Sequence, residues 1–322
     1  MTPPLHRENT DETIELVVRE VVPAAEDTIV LVLERPDGTE LPEWAPGAHI
    51  DLILGDDLVR QYSLCGDPSK RSQWRIGVLR EPESRGGSRF LHDSVRAGSS
   101  LTARGPRNHF PLVPHDRYLF IAGGIGVTPI LAMVRAAESE GAQWQLLYGG
   151  RRRESMAFVD ELCEHGDKVA IRPQDQHGHL DLASYLADAS SGTAVYCCGP
   201  EPLIAAVEAA CAGADIPLHV ERFAPKQDPD APANEEFEVY CADSDITVTV
   251  PADSTILAEV RKVGIEVLSS CSEGTCGTCE ADIIEGVPDH RDSVLTPQDR
   301  KAGESMMICV SRCLGKRLVL DL

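Results

Sequence analysis

The sequence contains no unbroken apolar run close to the ~20 residues a helix needs to cross a bilayer, so no membrane association is expected. Its opening stretch, Met1 to Thr13, is polar and acidic, which is unlike a secretion signal and points to a cytoplasmic protein. Basic residues are scarce: 30 Lys and Arg stand against 52 Asp and Glu, a formal net charge of −22 that is spread along the chain. A surface of that sign repels phosphate backbones, so nucleic acid is not an expected partner, whereas a basic patch on another protein would be attracted. Paired cysteines are missing as well. The eleven cysteines are an odd number, and four of them lie between Cys271 and Cys309 while the others are scattered. That distribution argues against a disulfide framework and for metal binding or redox chemistry. No internal repeat is present.

The length, 322 residues, and the 42% hydrophobic content are enough for two or three separate cores. Residues 14–22 and 28–33 read as strands, and Pro and Gly punctuate the chain through residue 113 with few helical patterns. This first part, 1–113, is expected to be an antiparallel β-barrel. From Tyr118 the texture changes. The apolar runs Tyr118–Ala122, Gln145–Tyr148 and Ala194–Cys198 alternate with helical spacing over Pro129–Ala137 and Pro202–Cys211, which predicts an α/β domain with a parallel sheet over 114–223. Residues 224–235 carry three prolines and almost nothing to bury, so they read as a semi-extended linker. Beyond it, 236–322 forms a third, α+β domain. It opens on a hairpin of Phe237–Cys241 and Ile246–Val250, followed by a helix over Thr255–Val263 that Ser254 can cap and Gly264 ends.

Cys271, Cys276, Cys279 and Cys309 have the spacing of the plant-type ligands of a 2Fe-2S cluster. The first three sit in Cys271-Ser-Glu-Gly-Thr-Cys-Gly-Thr-Cys279, where Gly274 and Gly277 let the backbone wrap closely and aim amide groups at sulfur. The competing reading is a zinc site with Cys276 and Cys279 as one pair; zinc sites usually supply two close pairs, and Cys309 stands alone. Cys313 is taken as a packed or semi-exposed thiol.

Two turns carry a dinucleotide signal. Gly123-Gly-Ile-Gly-Val-Thr-Pro129 follows an apolar strand and opens a helix, where glycines let a pyrophosphate approach backbone amides; a tight turn without ligand is the alternative. Cys198-Gly199-Pro200 lies at the carboxyl end of a parallel strand, where ligands bind. A third glycine turn, Arg85-Gly86-Gly87-Ser88, precedes a helix over Arg89–Val95 whose free amides suit a phosphate.

With these motifs in this order, and with Arg60-Gln-Tyr-Ser-Leu64 and Val220-Glu-Arg-Phe223, nearly the whole chain resembles the phthalate dioxygenase reductase family, which includes vanillate demethylase reductases. The resemblance implies a flavin barrel, a nicotinamide domain and a C-terminal β-grasp ferredoxin. It gives Arg60 as counter-ion to the flavin phosphate, Tyr62 packing on the flavin, and Ser63, next to Leu64, bonding near the ring nitrogen that accepts hydride. It also aligns Val78 and Leu79 with the edge of the isoalloxazine, Gly86, Gly87 and Ser88 with the phosphate, and Thr128 with a place near both nicotinamide and flavin. Gly123, Gly124 and Gly126 face the coenzyme, Cys198 with Gly199 and Pro200 the nicotinamide side, and Phe223 the flavin face, a buried core Phe being the competing view. Cys197 should point into the core.

FMN is expected over FAD, and NADH over NADPH. Arg151-Arg-Arg153 flank the adenosine ribose and keep NADPH possible, while His177 and His179 read as surface loop residues. The implied activity is a monomeric reductase that passes electrons from NADH through FMN and the cluster to a Rieske-type oxygenase. The rivals are the same chain serving a haem monooxygenase, or a redox carrier or sensor whose barrel turns over no flavin.

Overall fold

The computed structural model describes residues 12–55, 58–83, 86–187, 189, 192–213, 216–225 and 232–322. The chain divides into two compact units, residues 1–221 and 222–322.

The first unit opens with β1 (Thr13–Ala25), β2 (Thr28–Glu34), β3 (His49–Gly55), β4 (Leu58–Ser63), β5 (Trp74–Leu79), the short helix α1 (Gly87–Asp93) and β6 (Ser100–Arg107). In β1, Ile14, Leu16 and Val18 are buried while Glu15 faces out, the period of two that a one-faced strand requires. The sheet order is β4-β3-β6-β1-β2-β5, with antiparallel pairing throughout, and a bridge between Leu64 and Ile76 joins the two outer strands into a barrel. The helix lies two residues earlier than the sequence suggests, because Gly86, at φ +100°, sets its start and Gly87 and Ser88 enter its first turn.

The same unit continues with β7 (Arg117–Gly123), α2 (Val127–Ser139), β8 (Gln143–Gly150), α3 (Val159–Cys163), β9 (Val169–Pro173), α4 (Gln174–His177), α5 (Leu182–Leu186), β10 (Thr193–Cys198), α6 (Glu201–Cys211) and β11 (Leu218–Glu221). These strands form a parallel sheet in the order β11-β10-β7-β8-β9. The central strands β7 and β10 are buried along nearly their whole length, as strands covered on both faces must be. Barrel and parallel sheet share a core: Val30, Cys65 and Phe110 pack in one cluster with Phe120, Ile130, Tyr148 and Phe158. Polar ties reinforce it. Arg75 reaches Glu161 at 3.1 Å, and Arg135 donates to the Cys65 carbonyl at 2.8 Å and pairs with the same Glu161.

The second unit contains β12 (Phe237–Cys241), β13 (Ile246–Val250), α7 (Ile256–Lys262), β14 (Glu280–Glu285), β15 (Pro288–Asp289), α8 (Pro297–Ala302), β16 (Ser305–Met307), β17 (Arg312–Cys313) and β18 (Arg317–Leu320). Its mixed sheet runs β13-β12-β18-β14-β16, with β12 and β18 parallel, and the core gathers Phe237, Val239, Ile256, Val260, Met306 and Leu318. Thr255, not Ser254, caps α7. Its hydroxyl accepts from the Ala258 amide at 3.1 Å, whereas Ser254 turns its hydroxyl to Glu259. Residues 226–231 of the expected linker, like Arg85 of the third glycine turn, lie outside the described residues. The linker's far end is held: Arg291 donates to the Pro232 carbonyl at 3.1 Å and Arg312 to that of Glu235 at 3.0 Å. Among the described residues no helix is long and apolar enough to cross a membrane.

Candidate functional site

Strand β4 carries Arg60, Tyr62 and Ser63, opposite Leu52, Ile50 and His49 of β3, and leads into buried Leu64. The aliphatic stem of Arg60 runs over Gly87. A Cβ on that glycine would lie 2.5 Å from the Arg60 Cγ, so the arginine of one motif and the glycine turn of another are packed together. Ser88 is buried, and its hydroxyl accepts from the Glu81 amide at 3.2 Å. Tyr62 is half-buried, and burial pushes its phenol above the ordinary range against the opposing pull of Arg60. Ser63 and Val78 are buried and Leu79 is half-buried; the Val78 carbonyl lies 3.0 Å from Nε2 of His92 in α1.

The strand that holds Val78 also holds Gly77, a residue the sequence reading passes over. A Cβ there would meet Thr128 Cγ2 at 2.8 Å and the Phe158 ring at 3.4 Å, so β5 rests directly on Thr128. A lone glycine inside an apolar strand is the available signal for such a close approach. Thr128 is buried at the start of α2, and its hydroxyl donates to the Ile125 carbonyl at 2.9 Å.

Between β7 and α2, Gly124 to Gly126 make one tight turn with Gly124 at φ +54°, and Tyr148 donates to the Gly124 carbonyl at 3.2 Å. This turn abuts the one after β10. A Cβ on Gly126 would lie 2.4 Å from the Cys198 carbonyl oxygen, and one on Gly199 would lie 3.0 Å from the Gly123 Cα. Pro200 closes over Gly123 from the same side, with its Cδ 2.7 Å from where a Cβ would be. The two coenzyme motifs are therefore one backbone-lined feature at the carboxyl edge of the sheet. Cys198 and Cys197 face opposite ways, Cys198 into the cluster around Phe120 and Tyr196, Cys197 into the one around Ile121 and Val195.

Cys198 also meets a second residue absent from the sequence-based set. Its thiol donates to Glu221 Oε2 at 3.9 Å across the pairing of β10 with β11. Burial pushes the Glu221 carboxyl up to about 8, with the Cys198 bond pulling the other way, and burial together with that carboxylate raises the Cys198 thiol well above its usual range. Glu221 stands in the quoted Val220-Glu-Arg-Phe223 stretch, but only its register opposite Cys198 reveals the contact. Phe223 falls in the second unit, beyond β11, and is 45% exposed, which removes the reading of it as a core residue.

In the second unit Cys271, Cys276, Cys279 and Cys309 are all buried. The Glu273 and Thr275 amides donate to the Cys271 sulfur at 3.3 and 3.4 Å, and the Cys271 amide to the Cys276 sulfur at 3.5 Å. Hydrogen bonds from Cys276 and then Cys309 hold the Cys271 thiol far below the ordinary range, while Cys276 and Cys309, as donors, are pushed up; Cys279 is lowered by its bond from Cys309. The four sulfurs thus stand as a chain of neighbouring pairs. Among the described residues no three His, Cys, Asp or Glu side chains are drawn onto one metal position. Gly274 is required twice over: its φ is +68°, and a Cβ would meet Val310 Cγ2 at 2.5 Å and the Asp292 Cα at 3.0 Å. Buried thiols, amides aimed at sulfur and a glycine-tight loop fit an iron–sulfur cluster.

The 2Fe-2S iron-sulfur cluster binding domain family matches residues 239–314, and the dimethylamine monooxygenase subunit DmmA-like N-terminal domain family matches 99–219. The phenoxybenzoate dioxygenase subunit beta of Ectopseudomonas oleovorans is 45% identical over 96% of this chain and 97% of its own. The solved structure of phthalate dioxygenase reductase, described as modular for electron transfer from pyridine nucleotides to 2Fe-2S, is 33% identical over 97% of this chain and 98% of its own, with a TM-score of 0.70. The chain belongs to the phthalate dioxygenase reductase family. An intact type IV self-sufficient cytochrome P450 monooxygenase is also similar, with a TM-score of 0.90 and 44% identity over 96% of this chain, which spans 41% of that longer one. As a family member the chain is a flavin and iron–sulfur oxidoreductase whose cofactors are FMN, NADH and a 2Fe-2S cluster.

Proposed function

We propose that the chain is the NADH-dependent reductase component of an oxygenase system. The observation that carries this is the contact of β5 with Thr128: the strand of the flavin motifs rests on the residue that opens the coenzyme turn, in a chain that also contains four buried thiols at cluster-ligand spacing. When bound, the nicotinamide supplies a hydride, FMN accepts two electrons and releases them singly, and the cluster carries one at a time.

The residues perform binding and orientation. Arg60, braced on Gly87, supplies positive charge for the flavin phosphate, and Ser63, Leu64, Val78 and Leu79 frame the ring. The turns Gly123–Gly126 and Cys198–Pro200 present backbone to the coenzyme, with Thr128 between coenzyme and flavin. Cys198, backed by Glu221, borders the nicotinamide. Cys271, Cys276, Cys279 and Cys309 hold the irons. The boundaries 1–113, 114–223 and 236–322 then separate flavin, coenzyme and cluster functions. No two of the eleven cysteines are joined in a disulfide, which supports a reducing, cytoplasmic setting.

A Rieske-type dioxygenase is the favoured acceptor, on the likeness to a dioxygenase subunit. A haem monooxygenase is the second reading, on the likeness to the self-sufficient P450. Mixing the reductase and NADH anaerobically with a purified Rieske oxygenase, and separately with a P450 under carbon monoxide, distinguishes them. Rapid reduction of the Rieske cluster with a slow haem signal is expected; the reverse order would replace the first reading by the second.

A further inference from the structure

Between β15 and α8 the chain buries a carboxylate. Asp292 is shielded from solvent, and its Oδ2 accepts from the Val294 amide at 3.0 Å and the Leu295 amide at 2.8 Å, which folds residues 292–295 into a tight turn. Among the described residues its Oδ1 has no hydrogen-bond partner. Two basic groups stand off from it: Arg300 Nη2 is 3.7 Å from Oδ2, and His290 Nδ1 is 3.8 Å from Oδ1. A buried carboxylate is costly unless it is fully paired, whereas a neutral asparagine or serine makes the same kind of turn without that cost. The charge at this position therefore calls for a reason beyond the turn itself.

What the turn holds is the cysteine loop. The Ser293 amide donates to the Gly274 carbonyl at 2.8 Å, and a Cβ on Gly274 would lie 3.0 Å from the Asp292 Cα and 3.3 Å from its Cβ. Gly274 stands between Glu273 and Thr275, the two residues whose amides donate to the Cys271 sulfur. Its φ of +68° is thus held from outside by the Asp292 turn, and with it the direction of both flanking amides. Arg300 braces the turn from α8, donating through Nε to the Leu295 carbonyl at 3.1 Å and through Nη2 to that of Asp292. A continuous series of contacts runs from the buried carboxylate, through the turn and Gly274, to a ligand sulfur. Amide donors on sulfur favour the reduced, more negative form of a cluster, and a fixed negative charge in a dry surrounding opposes it.

We propose that Asp292 is a positioning residue that sets the reduction potential of the iron–sulfur site: its turn keeps the Glu273 and Thr275 amides on the Cys271 sulfur, which eases reduction, while its buried charge pulls the potential the other way. This rests on the assignment of the four cysteines to the cluster. The balance of the two effects governs how readily the cluster takes an electron from the flavin.

Potentiometric titration of the purified holoprotein, followed by cluster absorbance and by the paramagnetic signal of the reduced cluster, separates the two effects. Asp292→Asn keeps an acceptor oxygen for the turn and removes the charge, so its cluster should be easier to reduce than that of the wild type. Asp292→Ala removes charge and acceptor together. Its cluster should be harder to reduce than that of the asparagine variant by about tenfold in the reduction equilibrium, about 59 mV for one electron, with shifted g-values. If the alanine variant does not retain iron, Asp292→Ser takes its place; its hydroxyl makes the turn more weakly, so its potential should also lie below that of the asparagine variant. Equal potentials in the asparagine variant and in the alanine or serine variant overturn the positioning role, and a wild-type potential in the asparagine variant overturns the role of the charge. A wild-type protein with no iron–sulfur absorbance overturns the cluster assignment instead.

Discussion

Gly126→Ala is a purely steric perturbation of the proposed coenzyme site. Gly126 has φ −60°, which any residue adopts, so alanine meets no backbone strain. Its Cβ would instead sit 2.4 Å from the Cys198 carbonyl oxygen, 2.5 Å from the Cys198 carbonyl carbon and 2.7 Å from the Gly199 nitrogen. All three are main-chain atoms, so no rotamer change relieves the clash. Carbon contacts relax only near ~3.5 Å, so the two turns must part by about 1 Å. Such overpacking costs about 1–3 kcal/mol of stability. A displacement of ~1 Å at a reacting centre slows the reaction by about 10²-fold. Gly141→Ala is the matched control. It has φ +71° with nothing within 4 Å of a Cβ, so it carries only left-handed strain of about 1 kcal/mol in a turn remote from the site. Anaerobic stopped-flow of flavin bleaching by NADH, with thermal melts of both variants, should show Gly126→Ala slowed by about 10- to 100-fold and Gly141→Ala unchanged in rate. Wild-type reduction by Gly126→Ala would refute the idea that the joined turns form the coenzyme site.

Two further outcomes are expected. Cys309→Ser should lose iron and sulfide while NADH still bleaches the flavin, whereas Cys313→Ser, whose half-buried sulfur lies 3.2 Å from the Gly315 amide, should keep its cluster; the opposite result would mean a different ligand set. Because the folded chain holds the Glu221 proton up to about 8 against an ordinary 4.5, it binds more protons than the unfolded chain across that window, so stability falls as pH rises from 4.5 to 8. Glu221→Gln should flatten that slope, with a gain at pH 8 of no more than about 5 kcal/mol; parallel melting curves of the two proteins from pH 5 to 8.5 would show that Glu221 is not the buried group inferred.

The strongly patterned elements were legible in the sequence. The hairpin Phe237–Cys241 and Ile246–Val250 and the buried strands around Phe120 and Tyr196 are continuous or alternating apolar runs, and α2 and α6 begin at glycine or proline turns. Strands β9 and β11 were not, because they are short and half-buried, with no run long enough to mark them. The four cluster cysteines and the glycine turns announce themselves by spacing. Gly77 and Glu221 do not, because their importance comes from what lies opposite them: Thr128 across a strand and Cys198 across a ladder. The shared core of barrel and parallel sheet was hidden for the same reason, since Val30 and Cys65 look like barrel residues until Phe158 is packed beside them.

Anaerobic addition of NADH to the purified chain, with flavin absorbance and the cluster's paramagnetic signal followed together, tests the central claim most directly. The expected result is that flavin bleaching is followed by a reduced-cluster signal in the same protein, and that the flavin-depleted protein, given NADH, keeps its cluster oxidised until FMN is restored. A cluster that NADH reduces equally well without flavin, or one that stays oxidised while the flavin bleaches, would contradict the proposed passage of electrons from coenzyme through flavin to iron.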